Sequence, residues 1–325
     1  MTLTRVQSLD DAREAAAGDR PTSSVRWLRR LFRKKIAIAC LLVIGVLYFC
    51  GLFAPWVAPY HYADQNLDAS FEGPSWEHPL GTDRNGRDTL SRNIYAMRTT
   101  TIVTLATLAT GAFLLPITLG MLAGYRGGFT DSLIMRSGEI FASLPGLPML
   151  VLINATLRPR FVSGVEEAEE ALGWSWLSNS AFPDYFLIFF VLSLFGWVGG
   201  ARLIRTQVLT LKGQEFVLAA RASGAGTMRI LFKHLLPNIL PLVIVGFSAA
   251  LGAIAGTEIA LTFIGVGVQP PTPSFGALIQ EGAPRSVLEA HPQLLLVPAA
   301  IVAALLFAFN LLGDALNDVL TPRTR

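Results

Sequence analysis

Six apolar runs, each long and nearly free of charge, constrain this chain more than any other feature. They cover about 36–54, 99–123, 133–157, 185–203, 239–268 and 294–309. Apolar stretches of this kind are long enough, as helices, to cross a bilayer core of about 30 Å. The expected fold class is therefore all-α: a polytopic membrane protein with six transmembrane helices. Charged residues make up only 15% of the 325 residues, and the net charge of +3 is too small to suggest nucleic acid as a partner. The two cysteines, Cys40 and Cys50, share the first run. On one helix they lie about 15 Å apart, too far for a disulfide.

The charges sit at the ends of the runs and orient them. Arg26, Arg29, Arg30, Arg33, Lys34 and Lys35 precede the first run, interleaved with Trp27, Leu28, Leu31 and Phe32. Two readings stand: an amphipathic helix on the anionic inner leaflet, or a plain positive-inside anchor. Both keep the N-terminus in the cytoplasm, as the short basic tail after Pro322 keeps the C-terminus. Residues 1–24 read as a disordered cytoplasmic tail. The basic region starts too far from Met1 for a signal peptide. Residues 25–95 then form the first span and an acid-rich extracytoplasmic loop, and 96–325 a core of five spans. Pro145 and Pro148 should kink or break the third span. Between the third and fourth runs, 158–183 reads as an insertion with Glu166, Glu167, Glu169 and Glu170, followed by Trp174 and Trp176. Its acids place it outside, where a solvated acidic face is the simplest reading.

Between the fourth and fifth runs, residues 213–238 are polar, basic and helix-forming. Arg221, Arg229 and Lys233 place them in the cytoplasm. Residues 214–222 should form a short helix in which Ala219 and Ala220 present a low surface, suited to a groove on another protein. Gly224 and Gly226 should end that helix and turn the chain. Residues 229–236 should form a second short helix, closed by Pro237 as the next span begins.

Here the chain resembles the cytoplasmic EAA loop of bacterial ABC importer permeases. Ala219, Ala220, Gly224, Leu236 and Pro237 match the pattern, while Leu218 replaces its glutamate and His234 its isoleucine. Glu215 lies one turn before Leu218 and can reach the same surface. Four further stretches resemble the dipeptide/oligopeptide/nickel class of these permeases. They are HPLGTDRNGRDTLSR at 78–92, GYRGGFTDSLIMR at 124–136, GVGVQPPTPSFG at 265–276 and NLLGD at 310–314. The run WVGGARLIRTQVLTLKGQEFVLAARASGA, leading into the loop, resembles the same class. The resemblance covers about 26–325 apart from 158–183.

The resemblance implies an ABC importer type I permease fold in a bacterial inner membrane. It also implies a second, different permease subunit, two ATP-binding subunits and an extracytoplasmic substrate-binding protein. Di- or oligopeptides are the implied cargo, with nickel or another small solute as the alternative. The ATPase-coupling residues would be Glu215, Ala219, Ala220, Arg221, Gly224 and Pro237. The chain has no GxxxxGK[ST] loop to cradle a nucleotide, so ATP hydrolysis is expected in partner subunits. No catalytic arrangement, cofactor site or metal cluster is expected; His78 has no second imidazole at ligand spacing. Glu258 lies inside an apolar run. It reads either as a pathway residue, which in an ion-coupled secondary transporter would be the relay, or as a hydrogen-bonded carboxylate that fixes packing.

Overall fold

A computed structural model of the protein describes residues 31–144, 146–173 and 182–320. The tail at 1–24, Arg26, Arg29, Arg30, Pro145, Trp174, Trp176 and the basic C-terminal tail lie outside these residues. The described residues are helical with connecting loops, and their only β-type pairing is an isolated bridge between Thr82 and Asp88.

Among the described residues, five helices are long and apolar enough to cross a membrane: α1 (Lys35–Leu52), α2 (Thr89–Arg126), α5 (Phe182–Leu211), α7 (Thr227–Phe263) and, after the short α9 (Arg285–Ala290), α10 (Gln293–Leu320). The sixth crossing is divided between α3 (Gly128–Ser143) and α4 (Gly146–Leu172). Two ion pairs show that the divided helix spans the bundle. Asp131, in the first turn of α3, is bound by Arg205 near the end of α5. Arg158 of α4 binds Asp184 at the start of α5, at 2.8 Å. Asp184 and Arg205 are separated along α5 by about 31 Å at the helical rise, one hydrocarbon thickness. The break falls at Leu144, which is extended (φ −76°, ψ 138°). A residue preceding proline is pushed out of the helical region, so Pro145 sets the break from its place in the sequence.

The chain departs from its sequence pattern in three places. First, α2 begins at Thr89, where Asp88 caps it by accepting from Ser91 N at 2.7 Å, so the loop between α1 and α2 ends well before residue 95. Second, α4 does not stop near residue 157 but runs on to Leu172. The part of 158–172 with the four glutamates is thus a rigid continuation, projecting about 21 Å beyond Arg158. Third, Pro237 does not close a separate helix. Thr227–Phe263 is continuous, and Pro237 sits in the first turn after a π-helical stretch, Ile230–Leu235. A wide π turn shifts the hydrogen-bond ladder by one residue, so the missing proline N–H is absorbed without a break. Helix α2 repeats the device, with π-helical Leu108–Leu114 just ahead of Pro116.

Packing follows small residues. A Cβ added at Gly120 would lie 2.7 Å from Ala201 O, and one at Gly124 would lie 2.8 Å from Arg205 O, so α2 and α5 touch backbone to backbone. Close approach through small residues is the usual means of helix association in lipid, where burial from water gives no drive. Helix α1 packs on α10 through Ala37, Cys40, Ala308 and Leu312. Both cysteines are free.

The end of the bundle that carries the α1–α2 loop is closed by polar contacts. Asp83 Oδ1 accepts from the backbone N–H groups of Asn85 and Arg87, and Oδ2 from Arg87 Nε at 2.7 Å and Arg92 at 2.5 Å. Arg92 also donates twice to Glu281, at 2.6 and 2.9 Å, joining the loop to helix α8 (Phe275–Gly282). Gly86, with φ 68°, lies against Asn66 so closely that any side chain would overlap its backbone. The signature-like segment 78–92 is therefore a folded cap across this end of the bundle.

Candidate functional site

The loop after α5 is short and rigid. Helix α6 (Glu215–Ala222) carries Glu215 in its first turn and Arg221 in its last, both favourable to the helix dipole. Beyond it Gly224 adopts φ 79°. Its N–H donates to Arg221 O, and the Ala225 N–H donates to Ala220 O, both at 3.0 Å. This is the Schellman pattern, which needs a residue tolerant of the left-handed region at Gly224. Val217 is fully buried among Val208, Ile230, Leu231, Leu235 and Met121. That side chain pins α6 to α2, α5 and the start of α7. Two more contacts bind this region to the end of α2: Lys212 Nζ donates to Gly124 O at 3.2 Å, and Arg221 lies 5.3 Å from the Tyr125 ring centroid. The Arg205 hydrogen bonds hold the Asp131 carboxyl below the usual carboxylate range.

The opposite face of α6 is exposed. Glu215, Leu218, Ala219 and Ala222 follow the i, i+3, i+4 spacing of one helix face. Glu215 and Leu218 thus share a surface, as their spacing in the sequence suggested. Ala220 is half-buried, and Arg221, Gly224 and Pro237 are exposed. Phe216, Met228 and Phe232 enlarge the apolar surface at this end and are 39%, 66% and 51% exposed. Sequence reading overlooked these three, although their period within a polar loop is visible.

Glu258 is elsewhere. It is fully buried, and its carboxylate accepts from Thr100 Oγ1 of α2 at 2.8 Å and Thr262 Oγ1 at 3.3 Å. Its neighbour Thr257 instead lines a cavity of about 290 Å³ between α2, α5 and α7. A second cavity, about 240 Å³, shares Gly196 and Ala250 with the first and continues past Gly199 and Gly246. Together they form an apolar groove floored by small residues. A Cβ added at Gly246 would have nothing within 4 Å, whereas one at Gly252 would lie 3.2 Å from Phe309, so only Gly252 permits a close helix contact.

The comparisons with known proteins agree with this architecture. Residues 116–325 match the family model described as the binding-protein-dependent transport system inner membrane component. Residues 24–74 match that of the N-terminal TM domain of oligopeptide transport permease C. The chain is 35% identical over 316 residues to the dipeptide transport system permease protein DppC of Bacillus subtilis, covering 96% of this chain and 90% of that one. It is 35% identical over 303 residues to the oligopeptide transport system permease protein OppC of Haemophilus influenzae, covering 91% and 88%. It is 34% identical over 298 residues to the di/tripeptide transport system permease protein DppC of Pseudomonas aeruginosa, covering 90% and 89%. With its spans, its helical bundle and these relatives, the chain belongs to the binding-protein-dependent inner membrane permeases, as an ABC importer permease of the dipeptide/oligopeptide type.

Proposed function

We propose that this subunit forms half of the translocation pathway of an ATP-driven importer of di- or oligopeptides and couples to ATP-binding subunits through α6. The observation that carries the coupling is the two-sided character of α6. Its inner face is locked to three long helices by Val217, while Leu218 and Phe216 are left on the surface. A force applied to such a helix is passed to the bundle rather than absorbed by a flexible loop. Closure of the ATP-binding subunits then biases the helices by differential contacts in two states. Arg126, Arg136, Lys212, Arg221 and Lys233 at this end support a cytoplasmic orientation, with both termini on that side.

The apolar groove of α2, α5 and α7 is the best-supported half-pathway, and it requires a second, different permease to complete it. Its small, uncharged lining fits cargo whose selection is made elsewhere, by an extracytoplasmic substrate-binding protein. Glu258 lies off this groove with its oxygens hydrogen-bonded, so an ion relay there gains no support. Ala219→Arg tests the coupling assignment in the assembled importer of a bacterial inner membrane. The expected result is normal membrane insertion, at least a tenfold loss of ATPase co-purification, and loss of substrate-stimulated ATP hydrolysis. Unchanged values for both would remove α6 from the coupling interface.

A further inference from the structure

A cavity of about 630 Å³ opens at the outer end, between the 71–93 segment and the 278–294 segment. It belongs to neither the groove nor α6, and its volume is in the range of small-ligand sites. Its chemistry is uneven. Two side-chain atoms at its wall, Thr89 Oγ1 and Asn93 Oδ1, are buried and have no hydrogen-bond partner among the described residues. The two residues are only 4% and 3% exposed. Buried polar atoms of this kind are uncommon, and each invites a partner. Asn93 Nδ2 already donates to Thr89 O at 2.8 Å, so the free atom of the amide is an acceptor and calls for an N–H. Glu281, whose side chain is 44% exposed, adds carboxylate oxygens on the same cavity.

The cavity also carries a cationic side. Arg87 and Arg92 are occupied by Asp83 and Glu281, but Arg84 is exposed on the rim without a carboxylate of its own among the described ion pairs. Three arginines thus face two carboxylates. Phe71 supplies an apolar wall. It is held at φ 56°, an unusual conformation for a bulky residue, and its ring stacks on His291 at 4.8 Å. Leu278, Val287 and Leu294 complete that wall.

We infer that this outer cavity binds a small zwitterion with a free ammonium group and a carboxylate: an amino acid or short peptide. The ammonium donates to Asn93 Oδ1 and Thr89 Oγ1 beside Glu281, the carboxylate meets Arg84, and the side chain lies on the Phe71 wall. The site would hold peptide on the permease itself, outside the groove. The assignment rests on the importer reading for its substrate class, but it is tested independently, because α6 lies at the far end of the bundle.

The test is isothermal titration of the full chain, purified in phosphatidylcholine nanodiscs, with the dipeptide Ala-Ala. Binding is expected, with at least a tenfold loss for N-acetyl-Ala-Ala and for Thr89→Val. Arg84→Ala should weaken Ala-Ala tenfold and leave its C-terminal amide unaffected. Arg84 is on the surface, so this variant reports even if the Thr89→Val protein fails to fold. Absence of Ala-Ala binding overturns the site, as does an affinity unchanged by both Thr89→Val and Arg84→Ala. Tighter binding of phosphoethanolamine than of Ala-Ala would transfer the cavity to lipid headgroups and overturn the peptide assignment.

Discussion

The two ends of the bundle are built on opposite plans. At the end proposed as outer, charged residues are buried and paired: Asp83 and Arg92 have side chains 7% and 4% exposed, and Arg92 carries the pairing from the 78–92 segment to Glu281 of α8. At the end proposed as inner, the charges are exposed or only partly buried, and apolar side chains of α6 are exposed. The contrast shows where each end's specificity resides. A network of buried ions fixes one geometry, because no member can be moved without stranding a charge. An exposed helix face held from behind by Val217 has its own shape fixed but leaves its partner open. The outer end therefore reads as a cap that defines the bundle, and the inner end as an exposed apolar face on a fixed helix.

Breaking the outer network should have the largest effect. Arg92→Leu leaves the buried Asp83 with Arg87 as its one remaining arginine and cuts the link to Glu281, and should cost about 3 kcal/mol of stability. Chemical denaturation of the purified subunit measures this; a loss similar to that of a surface change would erase the distinction between the two ends.

Glu258 is a buried acid held by two hydroxyls rather than by a cation. Glu258→Leu removes the acceptor for Thr100 and Thr262 and should cost about 1–3 kcal/mol. Glu258→Gln keeps an acceptor and should leave peptide uptake nearly intact. A Gln variant with normal assembly and ATPase stimulation but no uptake would contradict the packing role.

At the inner end, pH gives a smaller effect. The Asp131 carboxyl is held low by Arg205, so its folded pKa lies below its unfolded value, about 3.9. Its contribution is present above the unfolded value and is lost as pH falls through the folded one. Wild type should exceed Asp131→Asn in thermal midpoint between pH 5 and 8, and the gap should shrink as pH falls below the unfolded value. A gap that widens on acidification would reverse the sign. The smallest effect belongs to the Lys34–Asp318 pair, 2.9 Å long and 39% and 70% exposed. Lys34→Met should change stability by no more than about 1 kcal/mol, since exposed pairs contribute little.

Much of this was legible without the structure. Apolar runs of bilayer length report spans directly, because length and hydrophobicity are properties of the run itself. Gly224 announced the turn after α6 and Pro145 the break in the third crossing, since both act on their own backbone or the residue beside it. Pro237 misled, because a proline breaks a helix only when the ladder around it stays in α register. The π-helical Ile230–Leu235 absorbs that change. Whether Gly246 faces a neighbour or a groove depends on helix rotation, which the local sequence does not encode. Arg92 and Glu281 are 189 residues apart. Their pairing, like the two unpartnered atoms of Thr89 and Asn93 beside them, arises only when α2 and α8 are brought together. The sequence by itself determined the helices, their order and the surface of α6. The tertiary structure alone decided which buried polar groups met a partner, because that is a property of distance between elements and not of any one of them.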